Sequence, residues 1–414
     1  MGYDDKVNQS NTLSASKPTS EVALRQDAAI IGLVGLAHAS SHFSHLLLPL
    51  LFPVFMKEFG LSFSELGLLT SVFFIVSGVG QASAGFVVDR LGARPVLFIS
   101  FGIFMLACVV ASQAQAYSDL MVVAVLAGLG NCPFHPVDFT ILNQRVSAPR
   151  LGHAFSMHGL TGNLGWAVAP VFLVGIGSVV GWRHAYLAAA LMYAAILILL
   201  VTQRDKLHTE VLMRQPGEGA QEHGLAFLKR PVVWWCFTFF MFSTMTLSLV
   251  QNYAISILKA LHEVTFEVAA ATLTAYLLCA AAGIFVGGFV AARQSNSDRV
   301  VAVCMAVAAL MMVLCGSGVL GATGTMIVLA ATGFAVGIGG PSRDMMVKRA
   351  TPKGATGRVY GTVYSGFDVG FAVAPLVFGS FMDRGWYEAV FYGASAVLLI
   401  SVFVALGVGK RSGH

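Results

Sequence analysis

The sequence predicts an all-α membrane protein with twelve transmembrane helices in two pseudo-symmetric six-helix halves. The first observation behind this is composition: 57% of the 414 residues are hydrophobic, 11% are charged, and the mean hydropathy is +0.77. This is more apolar surface than a water-soluble core of this size would bury. The second is a series of apolar runs of transmembrane length, and the third is an internal repeat.

The apolar runs are each long enough to cross a bilayer as a helix, which needs about 20 residues. The chain contains 44 glycines and 13 prolines, which suit membrane helices because small residues allow close approach and proline marks kinks. The predicted limits are 28–56, 66–88, 95–115, 118–143, 153–177, 182–203, 230–258, 265–292, 299–319, 322–348, 356–381 and 386–408.

The repeat is clearest in a six-residue word that occurs twice. Residues 165–170 read Gly-Trp-Ala-Val-Ala-Pro and residues 370–375 read Gly-Phe-Ala-Val-Ala-Pro, an offset of 205 (375 − 170). Fused repeats in an apolar chain are typical of secondary transporters, which move one half against the other. Further pairs at the same offset are Gly128 with Gly333, Pro136 with Pro341, Gly152 with Gly357, and Phe155 with Tyr360.

Polar segments divide the chain into domains. Residues 1–27 lack the cationic start and short apolar core of a signal peptide, and we expect them to form a disordered cytoplasmic tail. Residues 204–229 are expected to form a cytoplasmic linker. These segments leave two six-helix halves, 28–203 and 230–408, followed by a cytoplasmic tail at 409–414.

The distribution of charge predicts the orientation. Most Lys and Arg residues fall in segments on the side of the two termini, so the positive-inside rule places both termini in the cytoplasm. The cations do not gather in one stripe, and no nucleic-acid partner is expected. The expected setting is the inner membrane of a bacterial-type cell, with the protein a monomer in the bilayer. The cations in the outer loops are Lys57, Arg183, Lys259 and Arg384.

The turn between the second and third runs carries a specific motif. Residues 85–95 read Gly-Phe-Val-Val-Asp-Arg-Leu-Gly-Ala-Arg-Pro. This resembles the signature G-x-x-x-D-R-x-G-R-R of the major facilitator superfamily, with Ala93 in place of a basic residue. The resemblance covers the chain from about residue 28 onward. It implies the twelve-helix fold of that superfamily and transport by alternating access.

The same turn is predicted to gate the cytoplasmic side. The resemblance implies that Asp89 lies at the positive end of the helix that starts near Thr356. Asp138, toward the inner end of the fourth run, is expected to pair with Arg90 or Arg94. The predicted gate residues are Gly85, Asp89, Arg90, Gly92, Arg94 and Asp138.

A second resemblance is to the fosmidomycin-resistance branch of the superfamily. It rests on Phe-His-Pro at 134–136, the Arg and Gly of 150–152, Gly-Asn-Leu-Gly at 162–165, Ser-His-Phe at 41–43, and Glu-Phe-Gly-Leu-Ser-Phe at 58–63. Proteins of that branch are proton-driven exporters of small antibiotics. The resemblance therefore implies proton antiport and efflux.

Three histidines in the first run are spaced four and three residues apart: His38, His42 and His45. A helix places them on one face over about 10 Å. Ionisable groups inside a membrane are costly and mark candidate sites. Because histidine titrates near neutral pH, this face is predicted to accept protons or to hold an anionic substrate group. Binding of a transition metal and packing against a neighbouring helix are the alternatives.

The deepest acid is Asp368, about twelve residues into the eleventh run and hence about 18 Å from its inner end. Its partner at the offset of 205 is Asn163. A neutral carboxylic acid at that depth can carry a proton, which suits coupling; the alternative is a structural hydrogen bond to Tyr253 or Thr246. Other residues predicted to line the substrate or proton pathway are Gln81, His135, His158, Gln251, Asn252 and Tyr276.

Arg343 and Asp344 are adjacent in the tenth run, and the offset of 205 places Arg343 at the position of Asp138. They are interpreted as a structural ion pair or as part of a charge cluster. The six cysteines all lie in apolar runs without a C-x-x-C pair, which predicts packing roles and no metal site.

The predicted function is a secondary active transporter that works by alternating access and exports a small molecule in exchange for protons. The alternatives are an importer of an organic acid or metal chelate, and a sensor that binds solute without transporting it. An enzyme is not expected, because the sequence shows no nucleophile with its base, no metal cluster and no phosphate loop. No cofactor is expected.

Overall fold

The computed structural model describes residues 20–211, 226–293, 296–350 and 356–411. Every regular element in these ranges is helical. Short 3₁₀ turns precede α2, α7 and α9 as numbered here. The α-helices are α1 Ser20–His45, α2 Phe52–Phe59, α3 Phe63–Leu91, α4 Ala93–Ser112, α5 Tyr117–Asn131, α6 Phe134–Arg145, α7 Leu151–Val180, α8 Trp182–Thr202, α9 Pro231–His262, α10 Phe266–Arg293, α11 Ser297–Gly316, α12 Gly321–Ala350, α13 Thr356–Asp383 and α14 Tyr387–Arg411.

Within the described ranges, 12 spans are long and apolar enough to cross a membrane, which confirms the predicted fold class. Two spans are divided between two helices: α1 with α2, and α5 with α6. Pro49 begins the 3₁₀ turn between the first pair, and Pro133 precedes the second helix of the other pair. Proline lacks a backbone N–H and interrupts the helical ladder, which explains both breaks.

The first helix starts earlier than predicted. Residues 1–19 lie outside the described ranges, but α1 begins at Ser20, inside the segment expected to be disordered. Asp27 explains the difference: its buried carboxylate accepts hydrogen bonds from Arg150 Nε (2.7 Å) and Ser147 Oγ (2.5 Å). These long-range partners hold the polar start of α1 against the turn before α7.

The repeated word is explained by backbone contact between helices. A Cβ atom built on Gly165 of α7 would overlap the carbonyl oxygen of Ala39 in α1. A Cβ on Gly370 of α13 would overlap that of Met241 in α9. The halves therefore use equivalent glycines for equivalent close crossings, as small residues do in membrane bundles. The same is true of Gly128 against Phe73 and Gly333 against Tyr276.

Hydrogen bonds connect the two halves at the end of the bundle opposite Ser20 and Arg411, which we call the far end. Asp383, at the end of α13, accepts hydrogen bonds from the backbone N–H groups of Phe63 (2.6 Å) and Ser64 (3.1 Å) and from the Ser64 hydroxyl. A carboxylate at the start of α3 satisfies its free N–H groups and faces its positive end. Other bonds between the halves are Thr70 to Asn252 (2.7 Å) and Ser71 to the Ala372 carbonyl (2.7 Å).

The far end should open more readily when Asp383 is replaced by Ala. The change removes three hydrogen bonds between the halves, and we expect the open population to rise about tenfold. The measurement is the rate at which an impermeant maleimide labels Ser71→Cys, a position buried in the closed state. Asp119→Ala is the matched control, because Asp119 caps α5 within its own half. Equal labelling rates in the two variants would contradict a role for Asp383 in closure.

Candidate functional site

The turn predicted as a cytoplasmic gate is exposed at its charged end. Asp89 and Arg90, in the last turn of α3, are both exposed. The helix partner expected for Asp89 near Thr356 and Gly357 lies among residues whose side chains are outside the description. The gate therefore remains a prediction.

The second end of this turn, at the start of α4, forms hydrogen bonds with the first residues of the linker. Gly92, which ends α3, has a φ of 80°, a conformation that glycine adopts without strain. The N–H of Ala93 donates to the Thr209 hydroxyl (2.9 Å), and Arg94 Nη1 donates to the Arg204 carbonyl (3.3 Å). Residues 212–225 of the predicted linker lie outside the described ranges.

Asp138 does not form the predicted pair with Arg90 or Arg94. Its side chain is fully buried, and its Oδ2 accepts hydrogen bonds from His38 Nδ1 (3.0 Å) and His158 Nε2 (3.1 Å). The prediction is wrong because α6 orients Asp138 toward α1 and α7, in the interior of the first half. A carboxylate buried there is stabilised only by hydrogen-bond donors that are buried with it.

Imidazole rings surround this acid. The His38 ring stacks on the His158 ring with 3.5 Å between centroids, and the His42 ring lies 4.5 Å from that of His38. His45 continues the series along α1, 5.0 Å from His42. The sequence prediction that the three α1 histidines share a helix face thus describes half of a larger group. We call this group the histidine cluster: His38, His42, His45, His135, His158 and Asp138.

The tautomer of His45 follows from its two hydrogen bonds. Trp166 Nε1 donates to His45 Nδ1 (3.2 Å), so Nδ1 carries no hydrogen and the neutral ring carries it on Nε2. His45 Nε2 then donates to the Asn131 side-chain oxygen (3.2 Å). That oxygen also accepts from Ser41 (2.5 Å), while the Asn131 amide donates to Ser77 (2.8 Å). His45 is therefore held as a neutral ring.

Two other rings keep a nitrogen available. His135 Nδ1 lies 2.8 Å from the Gln81 side-chain oxygen, an acceptor, which leaves His135 Nε2 without a hydrogen in the neutral ring. His42 Nδ1 is buried and has no hydrogen-bond partner in the described part of the chain. A Cβ atom on Gly162 would lie 2.8 Å from His42 Nδ1 and 3.0 Å from His38 Nε2, so only glycine leaves room there. These nitrogens are positioned to take a proton, an ion or a water molecule.

The same donors suit a metal ion. Two sets have ligand atoms within 4.8 Å of one another: His38 with His42 and His135, and His38 with Asp138 and His158. Imidazole with carboxylate is a common ligand combination for zinc and related ions. The hydrogen bond from His38 to Asp138 is also the arrangement that orients a metal-binding imidazole. The cluster therefore has the donor types that a transition-metal ion uses.

Asp368 lies between the two halves. It packs against Gly78 of α3, where a Cβ atom would lie 3.5 Å from its Oδ2. It has no hydrogen-bond or ion-pair partner among the described residues. The alternative bonds to Tyr253 and Thr246 are absent, because those hydroxyls donate to backbone carbonyls of α13 and α14. Asn163 bonds the Gly159 carbonyl of its own helix (3.1 Å).

One helix separates Asp368 from the histidine cluster. Gly78 follows Ser77 directly and precedes Gln81 by one turn, and both of these neighbours bond to the cluster or to the asparagine that holds it. Movement of α3 against α13 would therefore act on both sites.

An aromatic layer covers the cluster toward the far end. Phe74 of α3 stacks on Phe371 of α13, with 4.3 Å between centroids and 10° between planes. Trp166 lies 6.2 Å and His45 6.1 Å from Phe371. Trp166 and Phe371 are the second letters of the two repeated words, so the pseudo-symmetry brings equivalent rings together where the halves meet.

Three predicted pathway residues lie elsewhere. Asn252 accepts the Thr70 bond at the far end, Tyr276 is buried beneath Gly333, and Gln251 is buried with its Nε2 unpartnered among the described residues. Several residues that hold the cluster are not ionisable and are not among the predicted site residues, although Trp166 stands in the repeated word. These residues are Ser41, Ser77, Asn131 and Trp166.

In the part of the chain that the structure describes, twelve apolar spans form two repeats around buried titratable groups, an arrangement typical of a multi-pass membrane transporter. A sequence profile of the Major Facilitator Superfamily matches residues 34–263 and 249–413. The chain belongs to the Major Facilitator Superfamily. Its relatives and its fold are those of transporters rather than enzymes.

Individual relatives match part of the chain. The probable L-galactonate transporter of Escherichia coli (strain K12) is 26% identical over 136 residues, 33% of this chain and 30% of that protein. The fosmidomycin resistance protein of the same strain is 26% identical over 188 residues, 44% of this chain and 46% of that protein. The chain thus spans less than half the length of both relatives. The solved nucleoside transporter NupG shares the fold: TM-score 0.73, 15% identity, covering 92% of this chain and 99% of that one.

Proposed function

We propose that this protein is a proton-coupled transporter that works by alternating access and exports a small molecule. The observation that carries the proposal is the group formed by Asp138, His38 and His158. Asp138 is 0% exposed, and its Oδ2 accepts hydrogen bonds from both imidazoles. Its Oδ1 has no partner among the described residues. A buried acid bonded to two imidazoles forms a proton-binding site inside the helix bundle.

The charges of the group set its protonation. Ionised Asp138 beside two neutral rings leaves an uncompensated negative charge in a buried site, which is unfavourable. One added proton makes the group neutral, while a second places two cations on rings 3.5 Å apart. The closed site therefore holds one proton and releases it when water enters.

His42, whose Nδ1 has no partner among the described residues, is the next acceptor for that proton along α1. His42 and His45 extend the series from His38 along α1 by about 10 Å toward the aromatic layer. Parting of Phe74 from Phe371 would admit water from the far end to His45. Asp368, on the opposite face of α3, is the second proposed proton carrier.

We place both termini in the cytoplasm of a bacterial-type inner membrane and treat the protein as a monomer. The excess of Lys and Arg on the side of the termini supports this orientation. The far end is then periplasmic, and the contacts between the halves there correspond to a state closed on the periplasmic side.

Export is supported by the Phe-His-Pro segment at 134–136 and by the match to the fosmidomycin resistance protein. Uptake of an organic acid with protons is the second candidate. The match to the probable L-galactonate transporter supports it.

Proton flux in proteoliposomes tests the proposal. Gradients of fosmidomycin or of L-galactonate are imposed across vesicles containing the protein, with a pH-sensitive dye inside and protein-free vesicles as control. Antiport predicts protons moving against the solute, and symport predicts protons moving with it. Solute movement without any proton movement would contradict the proposal.

Asp368→Asn should reduce solute-driven proton flux by at least about tenfold, because an amide cannot carry the proton. The side chain keeps its size, so its packing against Gly78 is retained. Asp205→Asn is the matched control, since Asp205 is exposed at the start of the linker. Flux equal to that of the control would remove Asp368 from coupling.

A further inference from the structure

The second half contains a cavity between α9, α11, α12 and α13. Its empty space, together with the adjoining open solvent, amounts to about 390 Å³. Most of the lining is apolar, with one cation and no acid. The lining residues are Phe239, Ser243, Thr244, Leu247, Val301, Met305, Val336, Gly339, Gly340, Arg343 and Phe367.

This cavity occupies the place that the histidine cluster occupies in the first half. Subtracting 205 from Arg343 gives Asp138, and subtracting 205 from Gly340 gives His135. Gly340 has no side chain where the equivalent residue of the first half, His135, places an imidazole, and this leaves space at the α12 wall of the cavity.

Arg343 is held in a defined position at this cavity. Its guanidinium carbon lies 4.8 Å from the Phe240 ring centroid and 5.9 Å from that of Phe367. Its Nε donates to Asp344 Oδ1 (3.0 Å), and the Tyr364 hydroxyl lies 3.4 Å from the same oxygen. The two terminal nitrogens have no hydrogen-bond partner in the described part of the chain. They leave four N–H donors for a ligand.

We propose that this cavity binds a small organic anion, with the terminal nitrogens of Arg343 on a carboxylate or sulfonate group. A guanidinium matches two oxygens of such a group, and the two rings fix its plane. Phe239, Leu247 and Met305 give the carbon skeleton an apolar wall, which an inorganic anion would not use. The inference rests on the proposed function in that the bound anion is the transported solute.

The pseudo-symmetry then separates two tasks. The first half presents a buried acid with imidazoles for protons, and the second presents a cation at the equivalent place for the anion. Asp344 balances the charge of Arg343 while the cavity is empty, and it is not among the residues that line the cavity.

Equilibrium binding to the full-length protein in nonionic detergent tests the inference. The probes are L-galactonate and a panel of carboxylates and sulfonates of similar size, and L-galactose is the neutral counterpart. We expect Arg343→Gln to weaken anion binding by about 30-fold or more, and Arg343→Lys by about tenfold. Arg384→Gln is the matched control, because Arg384 is exposed beyond α13. If Arg343→Gln does not fold, Arg343→Lys and the chemical test below decide.

Labelling by phenylglyoxal gives an independent measurement on the wild-type protein. A bound anion should slow modification of Arg343 at least fivefold and leave modification of Arg384 unchanged. Three results would overturn the inference: no panel member binding the wild type, equal binding by L-galactose, or equal anion affinity in wild type and Arg343→Gln. No gradient is present, so failure of proton coupling in the proposed function would not affect this test.

Discussion

Asp138→Asn is expected to abolish proton-driven accumulation of solute, by about 100-fold or more, while exchange of solute across the membrane continues. The amide oxygen of Asn still accepts from His38 and His158, so the packing of this buried site is kept. The amide has no negative charge to neutralise, and the group no longer needs a proton in the closed state. Uphill transport driven by a pH gradient and counterflow without net proton movement are measured on the same proteoliposomes.

The comparison of the two assays separates coupling from structure. Retention of uphill transport in Asp138→Asn would show that Asp138 does not carry the coupled proton. Loss of both activities in a folded protein would assign Asp138 to solute passage or packing instead. Asp205→Asn again serves as the control, because that exposed acid lies outside the bundle.

Gly165→Leu is expected to have the largest effect on stability. Its Cβ would overlap the Ala39 carbonyl oxygen, and a backbone atom cannot turn aside as a flexible side chain can. Separating α7 from α1 would also break the hydrogen bond from Trp166 to His45. We expect a loss of at least about 3 kcal/mol in the free energy of unfolding.

Gly159→Leu on the same helix is the matched control. A Cβ there meets no atom within 4 Å, so both variants share the gain in helix propensity, about 1 kcal/mol, and differ only in the clash. Thermal unfolding and the fraction of monodisperse protein on gel filtration are compared. Equal stability of the two variants would show that the crossing at Gly165 is not as tight as described.

The fold could be predicted because lipid imposes strong constraints on sequence. A spanning segment must be apolar over about 20 residues, and its backbone N–H and C=O groups must form hydrogen bonds within the segment. Each spanning helix can therefore be recognised from the sequence. The exceptions are instructive. The polar start of α1 has the sequence of a disordered tail, because the residues that hold Asp27 in place, Ser147 and Arg150, lie far along the chain.

The candidate site could be predicted only in part. Helical periodicity placed His38, His42 and His45 on one face, and that information is local. The partners of Asp138 do not follow from local sequence. The rotation of α6 relative to α1 and α7 places Asp138 against His38 and His158, and not against an arginine of the turn after α3.

The sequence by itself determined the membrane class, the twelve spans, the two halves and the offset of 205 that relates them. These properties depend on residue type and spacing along one helix. Only the tertiary structure decided that Asp138 joins the histidines, that Asp368 faces Gly78 across the halves, and that Arg343 lines a cavity. Each of these depends on how helices distant in sequence are rotated and packed. At such contacts an imidazole fills a space that a glycine leaves open.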